Sequence, residues 1–133
     1  MASSLIRSDL IYPELSYEVI GASFAVYNNL GWGHREVYYQ RALAEELKAR
    51  KIPFIREQSV KIAYGNTSIG RYVLDFVVDD KLVFELKISP RLGYTHIKQT
   101  QSYLAALHLP LAILIYFTKD GVKYRRVLAV QKS

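Results

Sequence analysis

Two stretches of the sequence decide the fold: residues 71–78, which read RYVLDFVV, and residues 82–88, which read LVFELKI. Both are rich in β-branched and aromatic residues, and the polar sequence DDK separates them, so the pattern predicts two β-strands joined by a turn. A three-residue turn places position 78 opposite 82, and the same register places Asp75 opposite Glu85. Lys87 lies two residues beyond Glu85 and shares its face of the strand. Two carboxylates and one lysine are therefore predicted to meet on one hairpin.

These charges lie in otherwise apolar strands, where burying them is costly unless a cation lies between the two acids. Mg²⁺, or Mn²⁺ as its substitute, favours carboxylate and carbonyl oxygens, so Asp75, Glu85 and the backbone carbonyl of Leu86 form a candidate metal site. Lys87 would then reach a metal-bound water or a phosphate under attack. The alternative is a charged surface face on which Lys87 only pairs with the acids, because this spacing is frequent by chance.

Hydrophobic periodicity predicts the elements on either side of the hairpin. Apolar residues recur at helical spacing near the start of the chain and again after the hairpin, whereas residues from 54 onward alternate with period two. Gly31 ends the first helix, Thr95 caps the third and Pro110 ends it. The predicted helices cover 14–30, 34–50 and 95–108, and the predicted strands cover 54–64, 69–78, 82–88, 111–117 and 124–130. The order α-α-β-β-β-α-β-β predicts one mixed α/β domain over residues 1–133, with a mixed central sheet flanked by helices.

A third carboxylate, that of Glu36, is predicted to point inward. It falls at the start of the second helix on the stripe of Leu43 and Leu47, each about a whole number of helical turns away. An inward carboxylate at this place is a candidate member of the metal site. The alternative is an acid that only stabilises the positive end of the helix dipole.

Gln99 and Tyr103 are spaced i, i+4 on the third helix, so they share a face and are candidates to line a cleft above the sheet. The amide would bind a phosphate or a metal-bound water, and the phenol would position Lys87 or the substrate. The alternative is a tyrosine in the core beside a solvated glutamine. His96 lies one turn from Gln99, but a lone histidine near a helix start is more often a cap or a surface residue than a ligand.

Composition limits the class of protein. The chain has 133 residues, half of them hydrophobic, which is enough for one domain with a real core. It has no cysteine, so disulfides and thiolate metal sites are excluded. No apolar run approaches the ~20 residues that span a bilayer, and the first residues do not resemble a secretory signal. We therefore expect a cytoplasmic protein without a membrane segment.

The net charge of +6 is unevenly distributed. Residues 91–133 contain seven Lys/Arg and one acid, whereas residues 1–90 contain eleven of each sign. Such an excess attracts polyanions, so nucleic acid is the expected partner, although many proteins are mildly basic without binding any. The candidate nucleic-acid-binding residues are Arg35, Arg71, Arg91, His96, Lys98, Lys119, Lys123, Arg125 and Arg126.

With these positions in hand, the sequence resembles the GxxExxY proteins, a small family within the PD-(D/E)XK nuclease-like superfamily. The naming motif is GHREVYY at 33–39, preceded by YNNLGWG at 27–33. Further matches are RYVLDFVV at 71–78, VFELK at 83–87, HIKQTQSYL at 96–104 and the apolar strand at 111–117. Two positions depart from the pattern: Leu74 replaces the proline of the superfamily name, and Tyr116 stands where a small polar residue is expected.

The resemblance implies an α-β-β-β-α-β nuclease core with Asp75 and Glu85 as Mg²⁺ ligands. Lys87 corresponds to the catalytic lysine and Glu36 to an extra helical acid, while Gln99 and Tyr103 resemble the Gln-x-x-x-Tyr element of RecB-type nucleases. The implied activity is metal-dependent hydrolysis of phosphodiester bonds, with DNA as the expected substrate. The alternative is a non-catalytic module that binds nucleic acid or a partner protein. The small size of the chain leaves little room for a separate recognition domain, so a homodimer or a partner protein is a candidate means of choosing the site.

Overall fold

The computed structural model describes residues 11–89 and 94–130. Its elements are α1 (Pro13–Leu30), α2 (Glu36–Ala49), β1 (Phe54–Tyr64), β2 (Thr67–Val78), β3 (Leu82–Ile88), α3 (Tyr94–Leu107), β4 (Leu111–Thr118) and β5 (Gly121–Leu128). Their order is the predicted order. None of the helices within these residues is long and apolar enough to cross a membrane.

Two element ends differ from the prediction for physical reasons. The last strand begins at Gly121 rather than at 124, because Thr118 and Gly121 pair across a two-residue turn and the φ of Gly121 is 130°, which favours glycine. The third helix begins at Tyr94, so Thr95 lies inside the helix and is not its cap. The remaining ends agree to within about two residues, which is the usual uncertainty of a helix or strand boundary.

The five strands form one mixed sheet in sequence order. The β1–β2, β2–β3 and β4–β5 pairs are antiparallel. Strands β3 and β4 are parallel, because α3 returns the chain to the end of the sheet at which β3 begins. In the turn between β2 and β3, Val78 pairs with Leu82 and Phe76 pairs with Phe84. The predicted register of this hairpin is therefore present.

Helices cover both faces of the sheet. Helices α1 and α2 pack on one face, where Tyr39, Leu43 and Leu47 meet the apolar side chains of β3 and β4. Helix α3 packs on the other face through Tyr103 and Leu104. Strand β4 lies between β3 and β5 and is buried along its whole length, as a continuous apolar run predicts.

Strand β2 changes the direction of its side chains at Asp75. Phe76 packs in the α1/α2 core, whereas Leu74, two residues earlier, packs in the α3 core. On β1 the flanking pairs place Glu57 opposite Asp75, and Glu57 has a left-handed backbone with a φ of 57°, which is uncommon for a residue other than glycine. The hairpin therefore bends at the point where Asp75 lies.

We expect the substitution Leu43→Ala to lower the free energy of unfolding by about 2–5 kcal/mol, because it removes a fully buried side chain from the α1/α2 core and leaves a cavity. Urea denaturation measures the change. The matched control is Tyr17→Ala on α1, where the side chain is 75% exposed and the expected change is within about 0.5 kcal/mol. Equal effects of the two substitutions would contradict the assignment of this core.

Candidate active site

The two hairpin carboxylates lie where strands β2 and β3 separate. Backbone pairing between these strands ends at Phe76 and Phe84. Beyond that pair, the Asp75 N–H donates to Oε1 of Glu85 at 2.6 Å, and the Leu86 N–H donates to Oδ2 of Asp75 at 2.8 Å. Carboxylate oxygens thus replace the carbonyl oxygens that would continue the ladder, and these bonds fix the positions of both acids.

The environment of these acids resists their ionisation. Glu85 is only 4% exposed, and its burial together with the negative charge of Asp75 raises its pKa to about 8. Burial also raises the pKa of Asp75, although its bond from the Leu86 N–H and the charge of Lys87 act in the opposite direction. Nζ of Lys87 is 4.0 Å from Oε2 of Glu85. One lysine does not compensate two buried carboxylates, so the site favours an additional cation.

Helix α2 brings a third carboxylate to the pair through an amide. Glu36 is the first residue of α2, and Gln40 lies one turn later. Nε2 of Gln40 donates to Oε2 of Glu36 at 3.3 Å and to Oδ1 of Asp75 at 3.1 Å. Gln40 was missed at the level of sequence, and the only signal for it was its i, i+4 spacing from an inward-facing acid.

The chain before α2 is held by Tyr39, which explains the spacing of the GHREVYY sequence. The Tyr39 hydroxyl donates to the Gly31 carbonyl and accepts from the His34 N–H at 3.2 Å. Its ring is fully buried and meets the Phe117 ring edge to face at 4.8 Å between centroids. Gly33, which lies between Gly31 and His34, has a φ of 109°, which only glycine adopts readily. These contacts fix the start of α2 and with it Glu36.

Residues 13–127 match the family model described as the PD-(D/E)XK nuclease superfamily. The chain belongs to this superfamily. Among solved structures it is similar to SSO0001, with a TM-score of 0.57 and 20% identity over 91% of this chain and 59% of that one. It is also similar to an alkaline exonuclease, LHK-Exo, from Laribacter hongkongensis, with a TM-score of 0.50 and 11% identity over 82% of this chain and 76% of the other.

At these identities the two structures show the fold alone, and this PD-(D/E)XK chain spans about three fifths of the length of SSO0001. No curated protein matches the chain. The superfamily match covers all the residues of the candidate site but does not by itself show the narrower GxxExxY family.

A cation that sequence reasoning missed lies beside this PD-(D/E)XK site. Arg56 of β1 lies over the Phe76 ring, with its guanidinium carbon 5.4 Å from the ring centroid. Its charge lowers the pKa of Asp75, and its Nε is buried without an acceptor among the described residues. The sequence contains one sign of this placement. Arg56 shares the even-numbered positions of β1 with Phe54 and Val60, where apolar side chains are expected.

Helix α3 contributes Tyr103 to the border of the site but leaves Gln99 outside the core. Tyr103 is buried, and its hydroxyl lies 3.1 Å from Oγ1 of Thr100. Burial and then the charge of Glu85 raise the pKa of the Tyr103 phenol, so it remains protonated. Gln99 is exposed one turn earlier. The unexpected Tyr116 is buried in the α3 core, as a packing residue would be.

The predicted nucleic-acid-binding residues that the structure describes are spread over several elements. Arg125 and Arg126 are neighbours on β5 and therefore point to opposite faces of the sheet. Arg126 lies over the Tyr124 ring, with its guanidinium carbon 5.7 Å from the ring centroid. Arg35 directly precedes α2, and Lys98 lies on α3. Arg71 is exposed on β2, Lys119 in the β4–β5 turn and Lys123 on β5. Arg91 and the side chain of His96 lie outside the described residues.

In metal-free protein we expect the free energy of unfolding to fall as the pH rises from about 4.5 to about 8. In that range folded Glu85, with a pKa of about 8, keeps a proton that its unfolded form, with a pKa of 4.5, has lost. Above the folded pKa the dependence levels off. Urea denaturation in EDTA across this range measures it.

Glu85→Gln should reduce this pH dependence, because glutamine does not titrate but still accepts the Asp75 N–H. The control is Glu14→Gln, at an exposed position in the first turn of α1, which should leave the dependence unchanged. A free energy of unfolding that rises over this range in the wild type would show that Glu85 does not carry a raised pKa.

Proposed function

We propose that this PD-(D/E)XK protein is a metal-dependent nuclease that hydrolyses phosphodiester bonds in DNA, with Mg²⁺ as its ion and Mn²⁺ as a substitute. The observation that carries the proposal is the arrangement of Asp75, Glu85 and Lys87. The two acids are locked by bonds of 2.6 and 2.8 Å at the end of a strand pair, with the lysine ammonium 4.0 Å away.

The donor set fits a hard divalent cation. Mg²⁺ binds through one or two carboxylates and keeps its other positions for water and phosphate oxygens, so a site with two buried carboxylates is sufficient. The residues proposed to hold the ion are Asp75, Glu85 and the carbonyl of Leu86, with Glu36 joined to Asp75 through Gln40.

A bound divalent cation would lower the pKa of a water molecule and polarise the phosphate. The chain's own residues supply the rest. The Lys87 ammonium is placed to stabilise the negative charge that develops on the phosphate or on the attacking oxygen. Gln40 restrains Glu36 and Asp75 in one geometry, and Tyr103 on α3 lies close enough to Glu85 for its phenol pKa to be raised by that charge. The positive charge of Arg56 lies near Asp75 and lowers the pKa of that carboxyl.

The narrower assignments are part of the same proposal. Three residues of the naming motif support the GxxExxY family. Gly33 adopts the positive φ of the turn, Glu36 bonds to Gln40 at the site, and Tyr39 anchors the start of α2. Nucleic acid as substrate is supported by the net charge of +6, and DNA is the narrower expectation from the resemblance. The cytoplasmic location and the homodimer remain predictions from the sequence. So does the catalytic role of Gln99.

Lys87→Ala should lower the rate of Mg²⁺-dependent DNA cleavage by about 10²–10³-fold, because it removes the charge nearest to the developing negative charge. Plasmid, linear, single-stranded and branched DNA are tested with Mg²⁺ or Mn²⁺. The matched control is Lys81→Ala in the β2–β3 turn, where the lysine pairs with Asp79 at 3.2 Å and lies over the Tyr12 ring, and the rate should not change. Equal cleavage by Lys87→Ala and wild type would refute the assignment.

Mg²⁺ should raise the melting temperature of the wild type but not that of the Asp75→Asn/Glu85→Gln variant. Both replacements keep an oxygen that accepts the backbone N–H but remove the charge that binds the ion. Saturation at about 100 times the dissociation constant corresponds to about 2.7 kcal/mol of stabilisation. An equal rise in both proteins would place the ion elsewhere. Metal-independent DNA binding without cleavage would favour the non-catalytic module instead.

A further inference from the structure

Strands β1 and β2 continue far beyond the part of the sheet that β3 supports. Strand β2 has 12 residues, but only its last three, Phe76 to Val78, pair with β3. Residues 58–74 therefore form a two-stranded ribbon, here called the arm, which starts beside Asp75 and ends at the Gly65–Asn66 turn. A free hairpin of this kind is marginally stable on its own.

One side of the arm is supported by helix α3. The Tyr72 ring meets the Tyr103 ring at 5.3 Å between centroids, and Val60 is buried in the same cluster. The side chains that alternate with these, Ser59, Lys61, Arg71 and Val73, are all exposed. The arm therefore has one face fixed against the domain and one face open to solvent.

The open face carries positive charge without compensation. Lys61 and Arg71 are direct cross-strand partners, and no acidic residue occurs from 58 to 74. In the described part of the chain neither side chain forms an ion pair. Like charges at directly opposed positions destabilise a strand pair, so this arrangement is costly unless an anion lies against both.

The distance from these cations to the proposed active site corresponds to a few base pairs of a duplex. Arg71 lies four residues from Asp75 along an extended strand, which corresponds to about 13 Å. Along a duplex this distance corresponds to about four base pairs. A two-stranded ribbon also has the width that the major groove admits.

We propose that the arm binds double-stranded nucleic acid alongside the cleavage site, with Lys61 and Arg71 on backbone phosphates about four base pairs from the scissile bond. The proposal rests on the proposed nuclease function. It adds a duplex-binding element outside the catalytic residues and assigns Lys61, whose surroundings in the sequence are not basic. The exposed Tyr64 at the end of the arm would then lie further along the same groove.

The test measures binding without cleavage. Lys61→Gln/Arg71→Gln is introduced into the inactive Asp75→Asn/Glu85→Gln protein, and the affinity for a fluorescent 20-base-pair duplex is titrated at several salt concentrations. Loss of two phosphate contacts should reduce the slope of log K against log salt by about 2, because each contact contributes about 0.9. The affinity at low salt should fall by at least tenfold. The charge-conserving variant Lys61→Arg/Arg71→Lys should keep both values.

The matched control is Lys48→Gln/Lys51→Gln, which removes the same charge at the end of α2, at the opposite end of β1 from the arm. It should leave the slope unchanged. An unchanged slope in Lys61→Gln/Arg71→Gln, or an equal drop in the control, overturns the proposal. The proposal is also overturned if the substitutions change only the oligomeric state of the protein. The two cations would then serve to prevent association through the exposed strand edges. Because binding is measured in an inactive protein, absence of cleavage in the wild type would not affect the result.

Discussion

The site depends on one interaction, the reciprocal bonding of two carboxylates to backbone N–H groups where strands β2 and β3 part. Glu85 accepts from the Asp75 N–H, and Asp75 accepts from the Leu86 N–H. These bonds replace part of the sheet ladder, so the acids are positioned with the accuracy of the backbone rather than of mobile side chains. They also stabilise negative charge in a place where burial opposes it.

Other elements are arranged around that constraint. Helix α2 is anchored by Tyr39, which holds its start, and it delivers Glu36 and Gln40 to the side of Asp75. Helix α3 covers the opposite face with Tyr103 beside Glu85. Lys87 and Arg56 supply positive charge from the two strands that flank β2. Residues 58–74 extend beyond the part of the sheet that β3 supports and start beside Asp75, which connects the geometry of the site to the proposed binding arm.

The excess of positive charge in residues 91–133 does not by itself say which surface meets the partner. Counting along the sequence assigned the excess to the last third, but Arg125 and Arg126 point to opposite faces of an edge strand. The pair proposed to bind the duplex, Lys61 and Arg71, lies outside that last third. Charge per segment therefore predicts the class of partner, whereas the surface that meets it depends on which side chains the fold leaves exposed.

The sequence by itself determined the order of the elements, the hairpin register and the meeting of Asp75, Glu85 and Lys87. Each of these follows from local periodicity and from the length of one turn, which are properties of neighbouring residues. Only the tertiary structure decided that Gln40 links Glu36 to Asp75, that Arg56 lies beside the acids and that Gln99 is exposed. Those placements depend on how α2, α3 and β1 pack around a bend at Asp75. No periodic pattern encodes that bend, because it arises from the left-handed backbone at Glu57 and from side chains that replace the ladder.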